Sequence, residues 1–345
     1  MFRSVSGERL LLAGILILSI KSFLTISCFN LIPEMKIYHI PEQPFKGKID
    51  PGSLPADPSI FFDGLQAPVS AGIHFLDTAG ERKYGGRLKD LDKLRESLPF
   101  LSVRYPQLVL VLKNLLSSKT LANTYLPLKD QFAEKTFFPF LHMAGTVSQK
   151  GGSIGYHLDN YHVFILQAEG RRTWNIWNKN VLTAEESSCF VREDPEETSI
   201  AIQKQRPPDH VFTLEPGEFI FIPALFPHEG ISSMEDGLSI SLSYVYTALS
   251  GFKLLRPALP RSVTAVLRYT DERTRPLYEI IHELPLQEEE YRHWLQINLE
   301  HFGQLLPAEI RSLLHNQPEP LTEYWLNLFS GQAGTSAERF SSNTL

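Results

Sequence analysis

Between Leu238 and Tyr246 apolar and polar residues alternate, with Leu238, Ile240, Leu242 and Tyr244 set against Ser239, Ser241 and Ser243. A period of two places successive side chains on opposite faces of a strand, so this stretch has one buried and one polar face. Phe219–Ile222, closed by Pro223, and Val163–Leu166 are short continuous apolar runs and read as strands buried on both sides. From Phe137 to about Tyr246 such runs are separated by Gly, Pro and Asp clusters, as antiparallel strands are. The expected class is mainly β with flanking helices.

The flanks have a different texture. Pro41 to Pro58 is rich in Pro, Gly and Asp and reads as an extended, turn-rich lead-in. Arg87–Leu98 has leucines at helical spacing, and a second apolar helix is expected over Gln107–Leu116. After Pro260 the chain turns helical again. There Tyr291, Trp294, Leu295, Phe302, Leu305 and Leu306 form a stripe behind the acidic first turn Glu288–Glu290. The expected divisions are an N-terminal support over 35–136, a β core over 137–250, a helical region over 251–330 and a small, polar tail over 331–345.

Residues 1–34 form a separate question. Leu10 to Ile32 is apolar apart from Lys21 and a few small polar residues, and Arg3 and Arg9 precede it. That pattern fits a leader or signal anchor, or a start placed upstream of a true one at Met35. A membrane partner is expected only if residues 10–32 are a real anchor; otherwise the chain is expected in the cytoplasm.

Composition excludes several classes. With 345 residues, 43% hydrophobic and 21% charged, the chain is neither disordered nor fibrous. Cys28 and Cys189 are its only cysteines, too few for a disulfide framework or a Cys-based zinc site. A net charge of −6 argues against a surface that wraps nucleic acid, and no direct nucleic-acid contact is expected.

The chemistry is concentrated in Ser148-Gln-Lys-Gly-Gly-Ser-Ile-Gly-Tyr-His157-Leu-Asp159 and in Pro223-Ala-Leu-Phe-Pro-His228-Glu-Gly. Residues i and i+2 on a strand share a face, so His157 and Asp159 can ligate one ion. His228 from a distant strand completes a set of two imidazoles and a carboxylate, which suits non-haem Fe(II) oxygenases. A His-x-Asp pair also arises by chance, and zinc accepts the same donors, although the H-E-x-x-H run of helical zinc hydrolases is absent here. Downstream, Arg171 and Arg172 interrupt an apolar strand. Only one can point inward; a buried guanidinium needs a partner, and a dicarboxylate is a natural one. Gly151, Gly152 and Gly155 read as turn glycines or a mobile lip. Tyr156, Asn160 and Tyr161 flank the ligands, His142 and His162 read as structural, and Trp174 and Trp177 as core. The acidic run Glu193–Glu197 reads as a solvated loop.

Gly-Tyr-His157-Leu-Asp159-Asn-Tyr, Phe-Ile-Leu-Gln-Ala-Glu-Gly-Arg-Arg172-Thr-Trp and Leu-Glu-Pro-Gly-Glu-Phe-Ile-Phe-Ile-Pro…Phe-Pro-His228-Glu-Gly together resemble the Jumonji-C ribosomal oxygenases. The chain resembles in particular the bacterial members that hydroxylate an arginine of a large-subunit ribosomal protein. The resemblance covers roughly 137–246. It implies a cupin-type double-stranded β-helix that uses Fe(II) and 2-oxoglutarate to hydroxylate a protein side chain, releasing succinate and CO2. His157, Asp159 and His228 match the iron ligands. Arg172 matches the residue holding the far carboxylate of 2-oxoglutarate, where eukaryotic relatives have Lys, and Ser148 matches a supporting hydroxyl. Arg268-Tyr-Thr-Asp-Glu-Arg-Thr-Arg-Pro resembles the opening of the family's helical dimerisation region, which implies a homodimer through the C-terminal helices. The chain departs from the pattern in its N-terminal segment, its shorter C-terminal part, Pro223-Ala-Leu-Phe in place of a Pro-x-Gly turn, and Ser239 in place of Asn. A cupin isomerase or hydrolase without 2-oxoglutarate, a small-molecule hydroxylase and a non-catalytic binding module are the competing readings.

Overall fold

The computed structural model describes residues 37–57, 59–66, 68–76, 82–88, 91, 94–132, 140–179, 199–201, 207–233, 237–260, 273–285, 288–314 and 318–329. The expectations for residues 1–34, for Glu193–Glu197, for residues 268–272 and for the tail lie outside these. In chain order the strands are β1 (Ile37–His39), β2 (Phe45–Lys48), β3 (Ser70–Leu76), β4 (Arg82–Leu88), β5 (Val109–Lys113), β6 (Phe140–Ser148), β7 (His157–Asp159) and β8 (Tyr161–Glu169). They continue with β9 (Arg172–Ile176), β10 (Ser199–Ala201), β11 (His210–Leu214), β12 (Glu218–Ile222), β13 (His228–Ser232), β14 (Ser239–Thr247) and β15 (Glu283–Pro285). The α-helices are α1 (Ser59–Asp63), α2 (Leu94–Arg104), α3 (Lys119–Tyr125), α4 (Lys129–Phe132), α5 (Gly251–Leu255), α6 (Glu288–Leu305), α7 (Ala308–Arg311) and α8 (Pro318–Phe329). No helix among the described residues is long and apolar enough to cross a membrane.

Two antiparallel sheets face each other. The small one has the order β10-β7-β13-β9-β11 and the large one β2-β12-β8-β14-β6-β5-β3-β4. β12 shows why the middle of the large sheet is apolar on both sides. Ile220 and Ile222 point inward, to Val163, Ile165, Trp174 and Val245, while Phe219 and Phe221 point outward. On the outer face Phe132 of α4 packs against Phe164, Phe219 and Tyr244 with ring centroids 4.8–5.6 Å apart. The Tyr244 hydroxyl donates to the Tyr125 carbonyl of α3 at 2.8 Å. The N-terminal helices thus close the outer face and leave the inner one for the site.

The alternation of β14 is observed, and its serine face is the interior of the sandwich. Ser239 and Ser241 are fully buried, and both bond Gln167 of β8 at 2.9 Å. One end of the inner face is therefore polar and the other apolar.

Two expected helices are corrected. Gln107–Leu116 contains β5, a strand paired with both β3 and β6. A short apolar run with two valines has no period to separate helix from buried strand, and the neighbouring strands decide it. Arg87 and Leu88 belong to β4, paired with Gly72 and Ala71, and the helix starts later, at Leu94. Its spacing holds, since Leu94, Leu98 and Leu101 are buried together with Leu91. The C-terminal stripe lies in α6, where Tyr291, Trp294, Leu295, Leu299 and Phe302 are buried.

Candidate metal centre

β7 and β13 are neighbours, and His157 sits directly opposite His228 across the pair. Asp159, two residues beyond His157, shares its face by strand alternation. Register and pleat thus bring all three side chains to one point. The imidazole centroids are 4.3 Å apart, and Asp159 Oδ2 stands 3.5 Å from His228 Nε2 and 4.0 Å from His157 Nε2. The three are buried and each offers a ligand atom within 4.8 Å of the others.

Backbone carbonyls set the tautomers from behind. His157 Nδ1 lies 2.9 Å from the Gly155 carbonyl and His228 Nδ1 lies 2.8 Å from that of Phe226. A carbonyl can only accept, so each Nδ1 carries a hydrogen and Nε2 is the atom each ring turns toward Asp159 as a ligand. Burial, followed by the adjacent His157, pushes His228 well below the ordinary imidazole range and keeps it neutral. Two imidazoles and one carboxylate form a donor set for a divalent cation with open positions.

The segments bearing the ligands are pinned by main-chain contacts. Leu225 donates its N–H to the Asp159 carbonyl at 2.8 Å, and the buried Lys253 ammonium of α5 donates to the Asn160 carbonyl at 2.7 Å. His162 is fully buried and accepts the Ala224 N–H at 3.1 Å, the structural role expected of it. The glycine turn is pinned as well. Gly151 N–H donates to the Ser232 carbonyl at 2.8 Å and Ser232 N–H to that of Gly152 at 3.0 Å. A Cβ at Gly152 would lie 2.8 Å from the Gln149 carbonyl oxygen and 2.9 Å from that of Leu108. This is a packed turn tied to β13.

A second polar group faces the same interior. Arg172 is 1% exposed, while Arg171 faces outward and pairs with Glu215 at 2.5 Å, the division that alternation requires. Arg172 Nη2 donates to the Gly230 carbonyl at 3.1 Å, and its guanidinium carbon lies 5.0 Å from the Trp174 ring centroid. Gly230 makes room for this stack, since a Cβ there would stand 2.7 Å from both Arg172 Nε and the Trp174 ring. Ser148 Oγ, Ser232 Oγ and Trp174 Nε1 are buried with no hydrogen-bond partner among the described residues. Leaving such groups unsatisfied costs about 1–3 kcal/mol each. A guanidinium, an indole N–H and two hydroxyls are the complement of a carboxylate, which only accepts.

Sequence reading missed Gly230 and Ser232 and placed Trp174 in the core ahead of a substrate platform. The signal was the same period of two: Trp174 is i+2 from Arg172, and Gly230 and Ser232 are i+2 and i+4 from His228. Tyr156 packs edge-on against the buried Trp177 at 4.6 Å. Burial and the nearby Asp159 carboxylate hold the Tyr161 phenol well above its usual pKa, so it stays protonated beside the ligand.

The chain is similar to several known proteins. The curated "Ribosomal protein uL16 3-hydroxylase" of Escherichia coli is 35% identical over 101 residues, which is 28% of this chain and 23% of that protein. The "Probable ribosomal oxygenase" of Haemophilus influenzae is 33% identical over 104 residues, 29% of this chain and 23% of that one. The matched stretch thus spans under a quarter of either relative's length. Among solved structures, E. coli YcfD, described as a ribosomal oxygenase in complex with cobalt and 2-oxoglutarate, aligns over 85% of this chain and 68% of its own, at 19% identity and a TM-score of 0.47. The profile of the family described as "JmjC domain" matches residues 119–251, the stretch that holds β6 to β14, and with them the whole small sheet, and the His-Asp-His cluster. The chain is thus similar to the JmjC domain family over residues 119–251.

Proposed function

We propose that the chain is an Fe(II)- and 2-oxoglutarate-dependent oxygenase that hydroxylates a side chain of a protein, with a ribosomal protein as the substrate class. The observation that carries this is the pairing of two sites in one interior: the His157, Asp159 and His228 donors, and the carboxylate-complementary set around Arg172. Relatives named as a ribosomal protein hydroxylase and a ribosomal oxygenase support the substrate class.

On this reading His157 Nε2, His228 Nε2 and Asp159 Oδ2 hold the iron. Arg172 and Ser148 hold the far carboxylate of 2-oxoglutarate, and Trp174 Nε1 and Ser232 Oγ are further donors toward it. Bound together, iron and 2-oxoglutarate supply an O2-dependent oxidation that yields succinate, CO2 and a hydroxylated C–H position. The protein contributes placement and dryness. Val163, Ile165, Ile220, Ile222 and Val245 keep water from the apolar end of the interior, which strengthens the charge contacts made there. With two imidazole ligands the carboxylate is the one anionic protein ligand.

The test is release of labelled CO2 from 2-oxoglutarate by the purified protein with Fe(II) and ascorbate. Release that is absent in His157→Ala and Arg172→Ala supports the proposal. A protein with no affinity for 2-oxoglutarate at millimolar concentration would sink it. The protein class is tested by mass spectrometry of ribosomal proteins from a deletion strain, where one oxygen addition should be missing.

A further inference from the structure

The large sheet continues past the metal-bearing sandwich. Beyond β6 it runs through β5 and β3 to the edge strand β4, and one row crosses it by register: Ser239, Ser148, Val109, His74, Tyr84. Side chains opposite one another share a face, so the face that carries Ser148 also carries His74 and Gly72 of β3 and Val111 and Lys113 of β5.

β4 reaches this face by an irregularity. Tyr84 and Arg87 are three residues apart and on a regular strand would point to opposite sides. The register shifts between Ile73 and His74, so that Ile73 opposes Gly86 and His74 opposes Tyr84, leaving Gly85 as an extra residue. Gly86 takes φ +105°, with nothing within 4 Å of where a side chain would begin, so conformation rather than space calls for glycine there. Bulges of this kind re-aim side chains. Here the bulge brings Tyr84 and Arg87 to one side.

The result is a concavity of about 190 Å³, floored by Gly72 and Val111 and walled by His74, Tyr84, Arg87 and Lys113. Tyr84 is 59% exposed, leans over Gly72, and packs on His74 with ring centroids 5.3 Å apart. Arg87 and Lys113 are exposed, and among the described residues neither has a carboxylate partner and no acidic side chain lines the concavity. An exposed tyrosine packed on a half-buried histidine, on a sheet face beside two exposed cations, is the combination that stacks a base and holds its phosphates.

We propose that this concavity binds a nucleotide of a single-stranded nucleic acid, with the base against Tyr84 and His74 and the phosphates on Arg87 and Lys113. An acidic peptide would use the two cations and leave the aromatic pair idle, and a duplex keeps its bases stacked within itself. The net charge of −6 opposes a wrapping surface, and this site is far smaller than one. Two phosphate contacts give weak, salt-dependent binding, with a slope of log affinity on log salt of about −1.4. The inference does not rest on the oxygenase reading, because none of its residues belongs to the metal or carboxylate set.

The test is fluorescence anisotropy of the full chain with a short labelled oligo(A), as RNA and as DNA, at about 50 mM salt. Unlabelled duplex and poly-glutamate serve as competitors. Binding of either single strand, about tenfold weaker in Tyr84→Ala and lost in Arg87→Glu/Lys113→Glu, supports the proposal, and the preferred arm identifies the sugar. Circular dichroism and the melting temperature should match wild type in all variants, since the altered side chains are exposed. No binding at low salt, binding indifferent to Tyr84→Ala, or equal displacement by poly-glutamate overturns it.

Discussion

Leu225 donates its backbone N–H to the carbonyl oxygen of Asp159 at 2.8 Å from a left-handed conformation, φ +67°. It stands in the turn Pro223–Pro227 that delivers His228, at the position where the Jumonji-C pattern has glycine. The turn thereby ties two ligand-bearing segments together through the main chain. A non-glycine residue in this conformation costs about 1–2 kcal/mol, and burial of Leu225 against Leu158, Ala224 and Ala248 offsets it. Leu225→Gly relieves the strain but loses a buried side chain worth about 2–5 kcal/mol. The expected net result in urea unfolding is a loss of about 1–2 kcal/mol, with Mn(II) affinity within a few-fold of wild type. Leu225→Pro lacks the N–H and cannot reach positive φ, so its Mn(II) affinity should fall well beyond that of the glycine variant. Equal metal binding by the two would contradict the tie.

Arg172 is assigned to the cosubstrate and not to the iron. Arg172→Met keeps much of the volume and removes the charge. Removing one partner of a buried charge pair costs about 2–5 kcal/mol, so the Kd for 2-oxoglutarate should rise by about 30-fold or more, with Mn(II) affinity unchanged. Calorimetric titration of each ligand separates the two effects. An unaltered 2-oxoglutarate affinity would remove Arg172 from the site.

Gly230 tests the same contact from the other side. A Cβ at this position would lie 2.7 Å from Arg172 Nε and from the Trp174 ring. Gly230→Val should displace the guanidinium and weaken 2-oxoglutarate binding while His157, Asp159 and His228 still take up Mn(II). Full retention of 2-oxoglutarate affinity would show that the stack is dispensable.

His162 makes stability depend on pH. Burial, with the nearby His282 and Lys253, pushes it from 6.5 to about 3. Its Nδ1 is already committed as acceptor of the Ala224 N–H. Between those values the unfolded chain holds the proton and the folded one does not, so stability is full above pH 6.5 and falls as pH drops. From pH 7 to pH 5 the loss should be about 2 kcal/mol. His162→Gln should lack that share of the decline in urea unfolding measured at the two pH values. An identical decline in both proteins would mean that His162 is not the group responsible.

Much of the site was legible because strand alternation and ligand spacing are the same rule. His157 and Asp159 at i and i+2, one inward arginine of two, and the alternation of β14 all follow from a period of two. His228 as the third donor and a dicarboxylate on the inward arginine were read from residue chemistry, whereas the choice of Arg172 and the role of Ser148 came from family resemblance, since nothing local says which strands pair. β5 was misread as a helix for the same reason: Val109–Lys113 owes its conformation to β3 and β6, which are far from it in sequence. The bulge that re-aims Tyr84 was illegible as well. Gly85 and Gly86 mark an irregularity, but only the register against β3 reveals which side chains it brings to one face.

The most direct test of the central claim is anomalous diffraction from crystals grown with Mn(II) and 2-oxoglutarate without oxygen. The account predicts a single strong metal peak bounded by His157 Nε2, His228 Nε2 and Asp159 Oδ2, with the oxo acid reaching from it to Arg172. A metal bound elsewhere, or an oxo acid that does not touch Arg172, would contradict it.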